Sequence, residues 1–475
     1  MSSLDDRTCP NHLGCIVDSC PQHGPEHRLL LALVGRRGEA SNQEAMLSLF
    51  RQVSWQTFLA TASDELYPYL AFQLESFTGC MDKTAELEQL FRARRHTAAR
   101  NLRLRYELGR VIEALSQTGI PALALKGIVL AYTVYPDSSL RPMLDLDLLV
   151  PPGKTEEALE VLQKLGFEYP EIVQSMNRDH CWRLGPEQEF APGLWLRDSR
   201  ILVELHSQLE CSEPVLPIPI QEFWSRSVAV DLNGLRVSTL GPEDFLFHLC
   251  LHQSHSHRFE KGLLPLIDLR LLLDSHRGWD WPGIAARSLR YGCATWMYLT
   301  LKAACELAGA QVSDSFFHAL PPPRNLSELQ CLVNEQIWSA RSEAFIPPQF
   351  VPMLLAEPSW RGRARMLFAR MRLVRRDEVG SELILAGLIQ RARLLHRRLL
   401  ATLRTRIPQY FRAWKNGQLK PNSIRRTAQL LRKANTLFRL VVEQETGLVA
   451  DRDRVEQNQR RSGLKPEEEY SQFET

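Results

Sequence analysis

Leu144-Asp145-Leu146-Asp147-Leu148-Leu149-Val150 is the stretch on which the fold turns. Acid alternates with leucine, and the run then becomes wholly aliphatic, as a strand does on entering a core. Successive side chains on a strand point to opposite faces, so Asp145 and Asp147 share one. Two adjacent carboxylates repel, and the pair is stable when a cation sits between them. Hard oxygen donors on a partly open site suit Mg2+ (or Mn2+), which keeps coordination positions for phosphate oxygens. Without a metal, the same string reads as an edge strand with a solvated polar face.

The flanking sequence supplies a setting for the acids. Upstream, Gly119-Ile120-Pro121 ends a helix and opens the short apolar run Ala122-Leu123-Ala124-Leu125, a buried strand. Lys126-Gly127 follows, and Ile128 to Tyr135 has helical spacing, so backbone amides at that helix start can receive a phosphate. Lys126 and Arg141 place cations beside the acids, and Arg141 is suited to a bidentate phosphate grip. Downstream, Thr155 to Leu165 reads as a helix stopped by Gly166. Ile201-Leu202-Val203-Glu204-Leu205-His206 reads as a second strand with Glu204 and His206 on one face. Strand, helix, strand, helix, strand is a compact α/β unit. Three acids of this kind, Asp145, Asp147 and Glu204, can hold two metals for in-line phosphoryl or nucleotidyl transfer.

With 475 residues the chain exceeds one ordinary core. The expected divisions are a Cys/His/Pro-rich arm at 1–27, a helical segment at 28–118, and the α/β core at 119–240. A helical domain at 241–355, a basic helical region at 356–450 and a disordered tail at 451–475 follow. In the helical segment, Leu29, Leu30, Leu33 and Val34 fall at helical spacing, and Leu102, Leu104, Leu108, Val111, Ile112 and Leu115 read as one apolar face. Ser54, before Trp55, does not read as a convincing helix cap. Cys9, Cys15, Cys20, His23 and His27 lack the paired spacing of a structural zinc site. No run of about 18 apolar residues suggests a transmembrane segment, and the N-terminus lacks the pattern of a secretory signal. A cytoplasmic location is expected, with reduced thiols among the ten cysteines.

The net charge of +3 conceals an asymmetry. Between Arg361 and Leu440 there are 21 Lys and Arg against 3 acids, a balance of +18 that leaves −15 for the rest of the chain. Met366, Leu367, Met371 and Val374 recur at helical spacing, with Arg363, Arg370, Arg372 and Arg376 around them, which predicts amphipathic basic helices. Their partner is either the acidic remainder of the molecule or an external anion. RNA, an anionic membrane surface and an acidic partner chain are the external candidates, and RNA accords best with nucleotidyl transfer.

Leu125-Lys126-Gly127, Tyr135, Leu140-Arg141-Pro142-Met143 and Asp145-Leu146-Asp147-Leu148-Leu149-Val150 together resemble the signature of a bacterial family of uncharacterised nucleotidyltransferases. Glu204-Leu205-His206 resembles that family's acid-x-His strand, and His252, His255 and Asp268-Leu269 resemble its helical half. The similarity spans roughly residues 28–310. It implies an α+β fold: a DNA polymerase beta-like nucleotidyltransferase core with flanking N-terminal and C-terminal helical segments, related to abortive-infection-type toxins. It also implies Mg2+ and a nucleoside triphosphate, and names no acceptor. The chain departs from the wider superfamily where Gly127 is followed by Ile128 instead of Ser or Gly, and the 18 positions from Gly127 to Asp145 are a long separation.

The expected activity is transfer of a nucleoside monophosphate to an unknown acceptor. Asp145, Asp147 and Glu204 would serve as metal and catalytic residues, with Lys126, Gly127 and Arg141 on the triphosphate. His206, His252, His255 and Asp268 are candidates for an acceptor site, with His252 and His255 on one helical face by their spacing of three. Each has a structural alternative: a hydrogen-bonded strand histidine for His206, a satisfied interface cluster for His252, His255 and His257, and a salt bridge for Asp268 and Arg270. Trp279 and Trp281 read as core or interface anchors. A degenerate nucleotide- or partner-binding protein and a nucleic-acid-associated protein are the competing functions.

Overall fold

The computed structural model describes residues 24–35, 43–80, 85–168, 193–196, 201–209, 216–339, 429 and 432–448. The chain divides into two compact units, Met1–Ala340 with Phe438–Thr475, and Arg341–Leu437. The first unit carries everything below. Met366 to Arg376 and the 451–475 tail lie outside the described residues, as do Cys9, Cys15, Cys20 and His23.

The chain opens with helices α1 (Pro25–Val34), α2 (Gln43–Gln52), α3 (Trp55–Thr61), α4 (Tyr67–Leu74) and α5 (Ala85–Gln117). Ser54 does cap α3: its side chain accepts from the Thr57 amide, one of the donors that a helix start leaves unpaired. The long α5 buries Leu87, Leu90, Leu104, Leu108, Val111 and Leu115. Leu102 does not belong to that stripe and is 60% exposed; the core continues through Asn101, on the next face of the helix.

The α/β layer comprises β1 (Leu123–Leu125), α6 (Lys126–Thr133), β2 (Asp145–Leu149), α7 (Thr155–Lys164), β3 (Phe167–Glu168), β4 (Gly193–Leu196) and β5 (Ile201–His206). The strands form one sheet in the order β1-β2-β5-β4-β3. Only β2 and β5 are parallel; β1 on β2, β4 on β5 and β3 on β4 run antiparallel. The α6 helix starts at Lys126, two residues before the periodic apolar run, and β2 starts at Asp145, leaving Leu144 66% exposed. Gly166, at φ +92°, ends α7 in the left-handed conformation that favours glycine.

Between His206 and Gly241, where the sequence reading placed no element, the structure has α8 (Ile220–Ser225) and a hairpin of β6 (Val228–Asp231) and β7 (Arg236–Thr239). Asn233 and Gly234 both have positive φ, the requirement of the tight turn that Asn-Gly favours. Thr239 ties the hairpin to β1 by donating to the Ala124 carbonyl at 2.7 Å.

The helical half follows as α9 (Pro242–Leu251), α10 (Leu264–Ser275), α11 (Trp281–Arg290), α12 (Ala294–Ala308), α13 (Asp314–Ala319) and α14 (Leu326–Trp338). A single π turn, His252–Ser256, continues α9. The structure is thus helix-rich with small sheets, an α+β arrangement, and no described helix is long and apolar enough to cross a membrane.

Candidate active site

Leu146 and Leu148 bury the far side of β2, which forces Asp145 and Asp147 onto the opposite face, where Leu149 follows them into the core. On β5, Ile201, Val203 and Leu205 are buried and Leu202, Glu204 and His206 are half-buried, so the acid and the imidazole share the other face. The parallel register sets Asp147 directly beside Glu204, and Leu149 beside His206. On its other side Asp147 pairs with Leu125, the residue before Lys126. Asp147 is consequently the centre of the constellation.

The counter-charge that this acid pair needs comes from the protein itself. Lys126 donates from Nζ to Asp147 Oδ1 at 2.6 Å, and His206 Nε2 lies 2.9 Å from the same oxygen. Lys126 adopts φ +52°, uncommon for a side chain other than glycine and a form of strain that gathers at functional sites. Burial opposes both charges. For Lys126 burial is the largest influence and lowers the pKa, but the charge and hydrogen bond of Asp147, with the charges of Glu204 and Asp145, together raise it. For Asp147 the attraction of Lys126 and the His206 contact outweigh burial and lower it. Asp145 lacks such partners: burial, then Asp147, then Glu204 push its carboxyl up to about 6.

Among the described residues, Asp147, Glu204 and His206 offer ligand atoms that all lie within 4.8 Å of one another. Asp147 and Glu204 were two of the three acids that the sequence reading gave as metal ligands, with Asp145; His206 is the added member of this group. Oxygen donors with one imidazole can hold a divalent cation such as Mg2+ or Mn2+.

Gly127 has a packing reason. A Cβ there would come 3.1 Å from Arg141 Nη1 and 3.2 Å from the Met143 side chain. The Arg141 fork closes on Asp268, with Nε and Nη2 donating at 3.1 and 2.8 Å, while Nη1 donates to the Pro142 carbonyl. Tyr135 donates its hydroxyl to the same Asp268 carboxylate at 2.7 Å. Asp268 thus holds Arg141 as a buried ion pair, and it lies on α10.

His252 and His255 do not share a face. In the π turn the His257 amide bonds to the His252 carbonyl, an i to i+5 closure, so a spacing of three no longer returns to the same side. His255 packs against Trp296 and Phe438 in the core. His252 instead meets His257 edge-on at 4.4 Å and faces His248 at 5.9 Å. Burial, then the nearby Lys126, drives His248 and His252 well below the usual histidine range, and burial with Lys261 takes His257 to about 3. These imidazoles are neutral neighbours of Lys126. The sequence reading missed His248, although His248 and His252 stand at the i, i+4 spacing of one helix face.

The loop before β2 is fixed by residues that the sequence did not single out. Asn101 on α5 donates to the carbonyls of Ser138 and Arg141 at 2.6 and 2.9 Å. Arg100 donates to those of Met143 and Leu144, each at 2.9 Å.

With this geometry in place, a family model described as "Uncharacterised nucleotidyltransferase" matches residues 51–309. The chain belongs to this family. The match takes in both halves of the site, from the α5 clamp to Asp268. Among solved structures, an antigenic nucleotidyltransferase-like protein from Paracoccidioides brasiliensis is similar at 14% identity, over 45% of this chain and 96% of that one. The TM-score between the two is 0.30. Among curated proteins, none matches.

Proposed function

We propose that the acid face transfers a nucleoside monophosphate from a nucleoside triphosphate to an acceptor hydroxyl, on a polymerase-beta-like core. The observation that carries this reading is the side-by-side register of Asp147 and Glu204, with Lys126 and His206 converging on Asp147. The donor set fits a hard divalent cation, since Asp147, Glu204 and His206 converge and Asp145 is crowded by charge of its own sign. When bound, Mg2+ or Mn2+ would supply positive charge that offsets the phosphates in an in-line displacement.

The chain's own groups have separable tasks. The acceptor oxygen forms a bond to the α-phosphorus, the bond to the bridging oxygen breaks, and pyrophosphate leaves. Glu204, with 37% of its side chain exposed, is the acid within reach of an acceptor, and it takes the hydroxyl proton. Lys126 exchanges Asp147 for a phosphate oxygen, which its flexible stem permits. The first turn of α6, from Lys126 and Gly127, faces the triphosphate with unpaired amides. Arg141 adds charge from behind Gly127 and is kept in place by Asp268. His206 orients Asp147. His255 and Asp268 serve the core and the Arg141 pair, and His252 stays a neutral neighbour of Lys126.

The test is labelled triphosphate turnover with Mg2+ or Mn2+ in wild type and Asp147→Asn. Loss of turnover in a folded variant supports the reading, and equal turnover overturns it.

A second reading, nucleotide or partner binding without chemistry, is favoured by one set of observations. Lys126 closes on Asp147, Asp268 takes the Arg141 fork, and Ile128 stands where a hydroxyl would touch phosphate. Calorimetric binding of ATP without pyrophosphate release would select it. An RNA acceptor at the basic 361–440 region is a further proposal, tested by binding at low and high salt.

A further inference from the structure

A cavity of about 660 Å3 opens on the face of α10 that turns away from Asp268. It is lined by Tyr69 and Phe72 of α4, Pro136, Leu271 and, at its polar side, Arg270 and Arg277, and none of the candidate catalytic residues borders it. Its volume falls in the range of small-molecule sites, about 300–1,000 Å3.

Arg270 is the unusual group. It is 4% exposed, and among the described residues its donors meet neutral acceptors: Nη1 the Gly35 carbonyl at 2.8 Å and Nη2 the Tyr69 hydroxyl at 2.5 Å. Its Nε is buried, with no acceptor among the described residues. No carboxylate among the described residues forms an ion pair with it. Three other guanidiniums do have one: Arg141 has Asp268, Arg226 has Asp244, and Arg287 has Glu243 and Asp244. Taking a cation out of water is costly unless an anion accompanies it. Arg277 and His276 add further positive or neutral nitrogen groups to the wall, against a single acid, Asp274. Tyr69, Phe72 and Pro136 add aromatic and apolar surface to the lining, with the Arg270 guanidinium 6.0 Å from the Tyr69 ring.

We propose that this cavity is a second ligand site, for a small organic anion that carries an aromatic ring. The anion neutralises the Arg270 end and the ring lies against Tyr69 and Phe72. The site is also placed to communicate: the Tyr69 ring meets Tyr135 edge-on at 6.2 Å, and Tyr135 bonds to the Asp268 that holds Arg141. The inference stands on the cavity itself and does not require nucleotidyl transfer.

Phenyl phosphate, inorganic phosphate and phenol are titrated calorimetrically into the full-length protein without divalent metal. Phenyl phosphate should bind with a Kd below about 1 mM, from the energy that small ligands gain per atom. It should bind at least tenfold tighter than phosphate or phenol. Leu271→Trp, which fills the cavity, should weaken it at least tenfold, and the rim variant Arg277→Glu several-fold, in proteins whose thermal melts show them folded. Asp147→Asn should leave it unchanged. No preference for phenyl phosphate, or binding indifferent to both cavity variants, would overturn the proposal. So would binding lost in Asp147→Asn, which would place the ligand at the acid face.

Discussion

At the scale of single residues the site is a balance of buried charge. Asp145, at about 6, stands above the ordinary aspartate value of about 3.9, so the folded protein binds more protons than the unfolded chain between about pH 4 and 6. The penalty of ionising Asp145 is therefore present above about pH 6 and relieved as the pH falls. Asp147 has the opposite sign: its lowered pKa stabilises the fold above the unfolded value and is lost in stronger acid. Asp145→Asn should then be more stable than wild type at pH 7.5, with most of the advantage lost by pH 4.5. Urea denaturation at the two pH values checks this, and a constant difference would contradict it. Lys126 is the reciprocal case. Removing it strands a carboxylate that is 4% exposed, so Lys126→Met should cost on the order of 3 kcal/mol without metal. Saturating Mg2+ should restore more stability to the variant than to wild type, as read by thermal melts. The acids, Lys126 and their shared face were legible in sequence because period two and Lys-Gly state them directly. That Lys126 itself answers the repulsion was not, because the contact joins the end of one strand to the middle of another.

At the scale of elements, the α5 helix sets the entry of β2. Asn101 is fully buried and feeds two carbonyls of the 138–144 loop, so Asn101→Leu leaves both unpaired at a cost of about 2–3 kcal/mol. The loop carries Arg141, so affinity for the triphosphate should fall several-fold as well. Stability loss with unchanged affinity would make the clamp structural only. Regular elements were readable from periodicity: β1, β2, α7 and β5 fall where their sequence patterns put them. The exceptions have physical causes. Leu102 fits an apolar pattern, yet the face it would occupy is taken by Asn101. The π turn at His252–Ser256 breaks the spacing on which a shared His252 and His255 face depended. The β6–β7 hairpin was signalled by Asn233-Gly234, but β6, exposed at Val228, Ala229 and Asp231, carries no inside–outside alternation to mark it as a strand.

At the scale of the whole molecule, residues after the long basic segment return to the helical half. Phe438 packs on Trp296 and His255, Gln444 exchanges hydrogen bonds with Arg324, and the Glu445 carboxylate accepts from the Thr295 amide. That amide opens α12, whose N-cap residue, Cys293, turns its thiol to the Ser288 carbonyl and makes no cap bond to the helix. Glu445 therefore supplies both a cap and a favourable charge at a helix start, a contribution of about 1–2 kcal/mol. Glu445→Ala should lower the midpoint of urea denaturation accordingly, and an unchanged midpoint would remove the capping role. No local pattern announces this contact, because 150 positions separate its partners. Nucleotidyl transfer by the acid face is tested with each triphosphate labelled at its α-phosphate, with Mg2+ or Mn2+ and a cell extract as the source of acceptors. Wild-type protein should pass the label to a discrete acceptor and release pyrophosphate, and folded Asp147→Asn should do neither. Labelling that persists in Asp147→Asn, or no transfer by wild type from any of the triphosphates, would contradict it.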